Sequence, residues 1–167
     1  LYSKNFPKTP IEGDIFKVNL NDIPEHDLIC GGFPCQPFSR AGKMLGFDDL
    51  KKGNHFFKIL EIIDNKKKNA PKYILLENVE TLLKHNNRET FQIIEKELTK
   101  RGYEIDKKIL SPHEFNIPHH RRRLFIVGAK KDAGGLKDFK FPKKKDITKT
   151  KIDSILNQEH IPYPGEN

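Results

Sequence analysis

The residues of this chain that could carry chemistry are a thiol, a carboxylate and a run of arginines. Cys35 lies within residues 31–39, directly after the short apolar stretch 28–30. Glycines and prolines around a single thiol predict an exposed turn rather than a core position. A lone cysteine is more often a small core residue, but prolines near Cys35 on both sides favour a nucleophile. Nearby positive charge would raise its thiolate fraction.

Glu77 and the arginines flank two predicted strands. Glu77 follows the apolar run 73–76, which is typical of a buried parallel strand, and Arg121, Arg122 and Arg123 precede another at residues 124–129. In open α/β sheets, ligands collect beyond the carboxyl ends of the strands. A thiolate, an acid and a guanidinium together suit attack on carbon 6 of a pyrimidine, which makes carbon 5 nucleophilic. The alternatives are an ion-paired Glu77 at a strand end and a solvated or phosphate-binding arginine turn.

Alternating strands and helices must position these groups. The helical spacing of Phe56, Leu60 and Ile63, and of Phe91, Ile94 and Leu98, predicts two amphipathic helices, the second ending before Gly102. The predicted strands are residues 13–18, 27–30, 73–76, 103–110 and 124–129, and the predicted helices are residues 54–66 and 88–100. This order predicts an α/β fold with a doubly wound, mostly parallel sheet and helices on both faces.

Composition narrows the class of partner. The 167 residues carry a formal net charge of +8, which favours a polyanion such as nucleic acid. The two cysteines form no disulfide framework or metal knuckle, so we expect a reduced, cytoplasmic setting without a metal. His119 and His120 lack further ligands at suitable spacing. No apolar run has the length of a membrane span, so we expect no membrane partner.

Several motifs in these segments carry a resemblance to a known family. The main ones are residues 32–39, Glu77-Asn78-Val79 and residues 117–123, and the weaker ones are residues 13–15 and 52–57. In this order they resemble motifs of the cytosine-5 DNA methyltransferases over residues 11–129. The second matches that family's Glu-Asn-Val motif, and the third resembles Pro-Gln-x-Arg-x-Arg. The chain departs from the family at His119, at His55 and at Ser111.

The resemblance implies a role for each matched residue of the base site. Cys35 would attack carbon 6 of cytosine, and Glu77 would contact ring nitrogen 3 and the exocyclic amine. Arg123 would contact the base oxygen with support from Arg121. Asn78 and Val79 would shape a turn after the strand. The fold would be a Rossmann-like methyltransferase sheet, and the substrate would be double-stranded DNA with its cytosine flipped out of the helix.

The resemblance also implies the cofactor S-adenosylmethionine. Asp14 would accept a hydrogen bond from the adenine, Ile15 would pack on the adenine ring, and Phe33 and Pro34 would lie close to the cofactor. The protein would be a bacterial restriction-modification methylase in the cytoplasm, associated with the nucleoid.

The domain organisation follows from the same comparison with the family. We expect residues 1–129 to form a catalytic core without the glycine-rich cofactor loop. We expect residues 130–167 to form a basic linker toward a target recognition region. On this interpretation the chain is a fragment that does not methylate DNA alone. The alternatives are a non-catalytic, basic nucleic-acid-binding fragment and an RNA cytosine methyltransferase on the same scaffold.

Overall fold

The computed structural model describes residues 2–34 and 55–145. The longer elements are α1 (Tyr2–Asn5), β1 (Leu28–Gly32), α2 (His55–Asn65), β2 (Tyr73–Val79), α3 (Glu89–Lys100), β3 (Tyr103–Leu110) and β4 (Arg123–Lys130). Short 3₁₀ turns lie at Lys67–Asn69, Glu80–Leu83, His85–Arg88, Pro112–Phe115 and Lys131–Ala133. None of the helices in these ranges is long and apolar enough to cross a membrane.

The four strands form one mixed sheet in the order β1-β2-β4-β3. β1 and β2 are parallel, whereas β4 is antiparallel to both of its neighbours, β2 and β3. Three strands therefore run in one direction and β4 runs against them. This arrangement confirms the predicted α/β fold with a mostly parallel sheet.

One face of the sheet, the closed face, is packed against the two long helices. Alternate residues of β2, Ile74 and Leu76, are buried together with Leu124 and Ile126 of β4. The apolar stripes of α2 and α3 join them in a single hydrophobic cluster. Within the described ranges both long helices pack on this face, and helices on the opposite face stay a prediction.

The opposite face, the open face, carries polar and partly exposed apolar side chains in the described residues. Tyr73 and Leu75 of β2 and Leu28 of β1 are among the exposed large apolar residues. Glu77 and Val79 share this face with them, because side chains alternate along a strand. The open face is therefore where chemistry from β2 and β4 is accessible.

The helices and most strands match their predicted ranges to within a few residues. α2 and α3 lie within one residue of their predicted ends, and Gly102 has the left-handed φ of 82° that suits a helix terminus. β2 continues to Val79, so Glu77 lies inside the strand, and the prediction that Asn78 and Val79 form a turn is wrong. The apolar pattern predicted too early an end for β2, because Glu77 is polar and faces the open side.

The predicted strand at residues 13–18 is wrong. The chain there is a series of turns. The Asp14 carboxylate accepts a hydrogen bond from the Phe16 amide at 3.0 Å, and the Lys17 amide donates to the Asp14 carbonyl at 2.9 Å. An aspartate that bonds to the backbone two residues later favours a turn over a strand.

The chain beyond β4 contacts the 3₁₀ turn at Pro112–Phe115 through residues 144 and 145. The Lys145 amide donates to the Glu114 carbonyl at 2.8 Å, and Lys144 forms an ion pair with the Glu114 carboxylate. The predicted boundary at residue 130 stays a prediction, and the rest of the predicted linker, residues 146–167, lies outside the described residues.

Candidate active site

The structure brings Glu77 and Arg123 together on the open face. In the β2–β4 register, Val79 lies opposite Arg123 and Glu77 lies opposite Phe125, so Glu77 and Arg123 are diagonal neighbours. Arg123 Nε donates to Glu77 Oε1 at 2.8 Å. Because β4 is antiparallel, its first residue lies beside the end of β2. This is how an arginine that begins one strand reaches an acid near the end of another.

Both members of this pair stay accessible. The Arg123 side chain is 22% exposed and the Glu77 side chain is 39% exposed. Arg123 Nη1 also donates to the Arg122 carbonyl at 2.9 Å. A guanidinium has five N–H donors, so these two bonds leave others for an incoming ligand. The pair can therefore present an acid and a donor to one planar molecule.

Gly32 provides the space for the Glu77 carboxylate. Gly32 lies opposite Glu77 at the last pair of the β1–β2 ladder. A Cβ atom at Gly32 would lie 3.2 Å from Glu77 Oε2. A larger residue here would press on the carboxylate, so the glycine in the predicted nucleophile motif also serves the predicted acid.

The chain leaves β1 toward Cys35 under tight restraint. Asn78 is 4% exposed, and its side-chain Nδ2 donates to the Phe33 carbonyl at 2.6 Å. The Phe33 ring is buried against Phe56 with ring centroids 5.5 Å apart, whereas Pro34 is exposed. Cys35 itself lies outside the described residues.

The arginine turn is anchored to the 3₁₀ turn that follows β3. The Arg121 amide donates to Ser111 Oγ at 3.0 Å, and the His113 amide donates to the His119 carbonyl at 3.1 Å. The imidazoles of His113 and His120 stack with centroids 4.5 Å apart. In the described ranges no group of three His, Cys, Asp or Glu residues could hold a metal ion.

Glu114 stabilises the 3₁₀ turn at Pro112–Phe115, and this role was not predicted from the sequence. Its carboxylate is nearly buried, accepts a hydrogen bond from the Ser111 amide at 3.1 Å, and pairs with Lys144. The bond from Lys144 lowers the pKa of Glu114 below its ordinary value. The signal in the sequence was the Ser-x-x-Glu spacing of a capping box, which Ser111 and Glu114 form.

Arg121 and Arg123 border an apolar groove beside the Glu77–Arg123 pair. The groove has a volume of about 480 Å³. Its apolar walls come from Leu110, Pro112, Phe115, Ile117, Phe125 and Pro142.

Arg122, between these two arginines, has a different environment, because it is paired with Glu80 and its side chain is 46% exposed. The bond to Glu80 raises the pKa of Arg122 above its ordinary value.

The predicted cofactor residues lie at two places in the chain. Asp14 is exposed and Ile15 is half-buried on the turns ahead of β1, whereas Phe33 and Pro34 directly follow β1. The hydrogen bond from the Phe16 amide orients the Asp14 carboxylate. The Phe16 ring contacts the imidazole of His55, at the start of α2, edge to face with ring centroids 4.8 Å apart. The carboxylate of Asp14 is a suitable acceptor for an amine, and its role stays a prediction.

The chain is similar to proteins of one family along nearly its whole length. A family model described as C-5 cytosine-specific DNA methylase matches residues 1–166. The Type II methyltransferase M.BsuFI of Bacillus subtilis is 42% identical over 161 residues, covering 96% of this chain and 37% of the relative. The Type II methyltransferase M.HhaI of Haemophilus parahaemolyticus is 34% identical over 163 residues, covering 98% of this chain and 48% of the relative. The chain therefore spans less than half the length of these relatives.

Solved structures agree on the fold. The crystal structure of a Spodoptera frugiperda DNMT2 mutant matches with a TM-score of 0.61 at 25% identity, covering 87% of this chain and 42% of that one. The S. pombe Dnmt2 methyltransferase matches with a TM-score of 0.55 at 26% identity, covering 90% and 42%. The sheet is thus the Rossmann-like sheet of methyltransferases. Because the family model matches nearly every residue and M.BsuFI is 42% identical, the chain belongs to the C-5 cytosine-specific DNA methylase family.

Proposed function

We propose that the protein containing this chain methylates carbon 5 of cytosine in double-stranded DNA, as a bacterial type II restriction-modification methylase acting on nucleoid DNA in the cytoplasm. The observation that carries the proposal is the 2.8 Å ion pair between Glu77 and Arg123. It joins two residues that the family motifs assign to one base. The family membership and the names of the relatives support the same reaction.

The base is activated by the side chains of this chain. The Cys35 thiolate forms a bond from Sγ to carbon 6 of a cytosine flipped out of the duplex, and the π electrons of the ring become available at carbon 5. In its protonated form, Glu77 donates a hydrogen bond or its proton to ring nitrogen 3, while its other oxygen accepts from the exocyclic amine. This offsets the charge that attack places on the ring. After transfer, a solvent base takes the proton from carbon 5, the double bond between carbons 5 and 6 forms again, and the electrons of the Sγ bond return to sulfur as the thiolate. Nitrogen 3 then returns its proton to Glu77.

Arg123 positions both the base and the acid. One of its N–H groups is already bonded to Glu77, which keeps the carboxylate oriented before a base arrives. The remaining donors can bind the base oxygen, and Arg121 supports the turn from which β4 begins. Groups that are positioned in advance need little reorganisation during reaction, and this accounts for much of enzymatic rate acceleration.

S-adenosylmethionine supplies the methyl group when bound. We assign the adenine amine to the Asp14 carboxylate and the adenine ring to Ile15, with Phe33 and Pro34 close to the cofactor. The orientation of Asp14 by the Phe16 amide and its exposure suit an acceptor role. Phe33 and Pro34 follow β1 directly and precede Cys35, so cofactor and nucleophile would meet beyond the same strand end.

The decisive test is covalent capture by the full-length protein that contains this chain. Duplex DNA of mixed sequence carrying 5-fluorocytosine is incubated with S-adenosylmethionine, because fluorine at carbon 5 prevents release of the adduct. We expect a denaturation-resistant complex with the unmodified protein and with Cys30→Ser, and none with Cys35→Ser. A serine hydroxyl stays protonated and attacks poorly.

The alternatives predict different results in the same assay. A non-catalytic nucleic-acid-binding protein would retain DNA without any covalent complex. An RNA methyltransferase would capture 5-fluorocytosine RNA in preference to DNA. An adduct that persists in Cys35→Ser would contradict the assignment of the nucleophile. Cys30 is the matched control, because it is the exposed free thiol of the described residues.

A further inference from the structure

We propose that Asn78 is a positioning residue, which fixes the backbone leading into Cys35 relative to Glu77. The inference rests on the proposed function for its catalytic consequence. The Glu-Asn-Val segment places its first and third side chains on the open face of β2, and the second on the closed face. Asn78 is thus a buried amide among apolar side chains, next in sequence to the proposed acid.

Both ends of the Asn78 amide bond to the backbone. Nδ2 donates to the Phe33 carbonyl at 2.6 Å, and Oδ1 accepts from the Val79 amide at 2.9 Å. A donor is required at the first contact and an acceptor at the second, so the orientation of the amide is determined by its partners. An amide suits this site, because it offers a donor and an acceptor on one short planar group.

The contact lies where the strand ladder stops. Backbone pairing between β1 and β2 ends at Gly32 and Glu77, and Phe33 is the next residue along the chain. The Asn78 side chain therefore continues the connection between the strands for one more residue. The Phe33 ring is also buried against Phe56, so both the carbonyl and the side chain of Phe33 are held in place.

Phe33 precedes Cys35 by two residues in the sequence, so we infer that a fixed Phe33 backbone limits where the chain can carry the thiol. Glu77 precedes Asn78 directly, so Asn78 connects the segment that carries the thiol to the strand that carries the acid. A displacement of about 1 Å at a reacting group can cost on the order of 100-fold in rate.

The test measures adduct formation with 5-fluorocytosine DNA in full-length protein, comparing Asn78→Asp and Asn78→Ala with the unmodified protein across pH. Near neutral pH we expect both variants to react on the order of 100-fold more slowly, with DNA affinity changed far less. Asn78→Ala buries no charge, so it is the variant expected to remain folded. Asn87→Asp, at an exposed position, is the matched control for added charge and should react normally.

The pH dependence tests whether the hydrogen bond to the Phe33 carbonyl is responsible for the effect, with the fraction of folded protein measured at each pH. In Asn78→Asp, the ionised carboxylate has no proton to donate to the Phe33 carbonyl, whereas the protonated form has one. The deficit of Asn78→Asp relative to the unmodified protein should therefore shrink as pH falls, while that of Asn78→Ala stays constant. The inference would be overturned if either variant reacted like the unmodified protein. It would also be overturned if the rate deficits of Asn78→Asp and Asn78→Ala changed with pH in the same way.

A second readout does not depend on methyl transfer. Alkylation of Cys35 by iodoacetamide, followed by mass spectrometry, reports the surroundings of the thiol directly. We expect the Cys35 rate to change about threefold or more in Asn78→Ala, with the Cys30 rate unchanged. An absence of adduct in the unmodified protein would count against the proposed function alone. Unchanged alkylation of Cys35 would count against the role of Asn78.

Discussion

The two faces of the sheet use the same strands for different purposes. On the closed face, Leu76 and Leu124 are fully buried against the helices. On the open face, their neighbours Glu77 and Arg123 form an accessible ion pair. Strand alternation therefore lets consecutive residues serve stability and chemistry separately. Substitutions on one face should affect folding, and substitutions on the other should affect reaction.

The largest effect is expected from Glu77→Gln on the open face. The amide retains the shape of the side chain but neither the charge nor the proton that nitrogen 3 requires. We expect single-turnover methyl transfer by the full-length protein to fall roughly 100- to 10,000-fold. The cofactor affinity and the free energy of unfolding should change little. An unchanged transfer rate would refute the assigned role.

The next effect belongs to the closed face and has a matched control beside it. Leu76→Ala removes a fully buried side chain and should lower the free energy of unfolding by about 2–5 kcal/mol. Leu75→Ala, at a position that is 38% exposed, should cost about 1 kcal/mol or less. Urea denaturation of both variants measures the difference. Equal losses would show that the open face is covered in the full-length protein.

A third comparison lies within the arginine turn. Arg123→Ala removes the partner of Glu77, and we expect a loss in transfer rate on the order of 100-fold. Arg122→Ala breaks the exposed pair with Glu80, and exposed ion pairs contribute little, so its rate should stay within about threefold of the unmodified protein. Single-turnover rates on one duplex compare the two. Equal losses would contradict the division of roles.

The smallest expected effect is a pH dependence of the free energy of unfolding, caused by Tyr103 on the closed face. The buried Tyr103 hydroxyl donates to the Pro71 carbonyl, and burial raises the pKa of Tyr103 to about 12. Unfolding exposes a tyrosine that ionises near pH 10. Its contribution is therefore complete below that pH and is lost as pH rises toward 12. Tyr103→Phe should show a smaller loss of stability between these pH values, and identical slopes would refute this.

The sequence predicts well where apolar side chains alone determine an element. The stripes of α2 and α3 and the apolar run of β2 gave the correct elements, because burial on the closed face requires that periodicity. The turns at Asp14 were missed, because a side-chain bond to the Phe16 amide outweighs the strand propensity of neighbouring residues. Such bonds depend on local geometry and leave no periodic signal.

The sequence motifs predicted residue types for the candidate site but not its geometry. Motifs identified Glu77 and Arg123, but nothing in an apolar run states in which direction a strand lies, so the antiparallel β4 was unforeseen. The function of Gly32 as space for the Glu77 carboxylate and the bonds of Asn78 were also hidden, since both need strands that are distant in sequence. The position of Cys35 stays a prediction.

The diagonal pair of Glu77 and Arg123 has a consequence for folding as well as for reaction. If β4 slipped by one residue along β2, its side chains would exchange faces, and Arg123 would turn toward the apolar helices. Burying a charge without a partner is costly, so the misaligned sheet would be disfavoured. The charge of Arg123, proposed for the chemistry, therefore also favours the correct register between β2 and β4. Arg123→Leu would then lower the yield of correctly folded protein in addition to slowing methyl transfer.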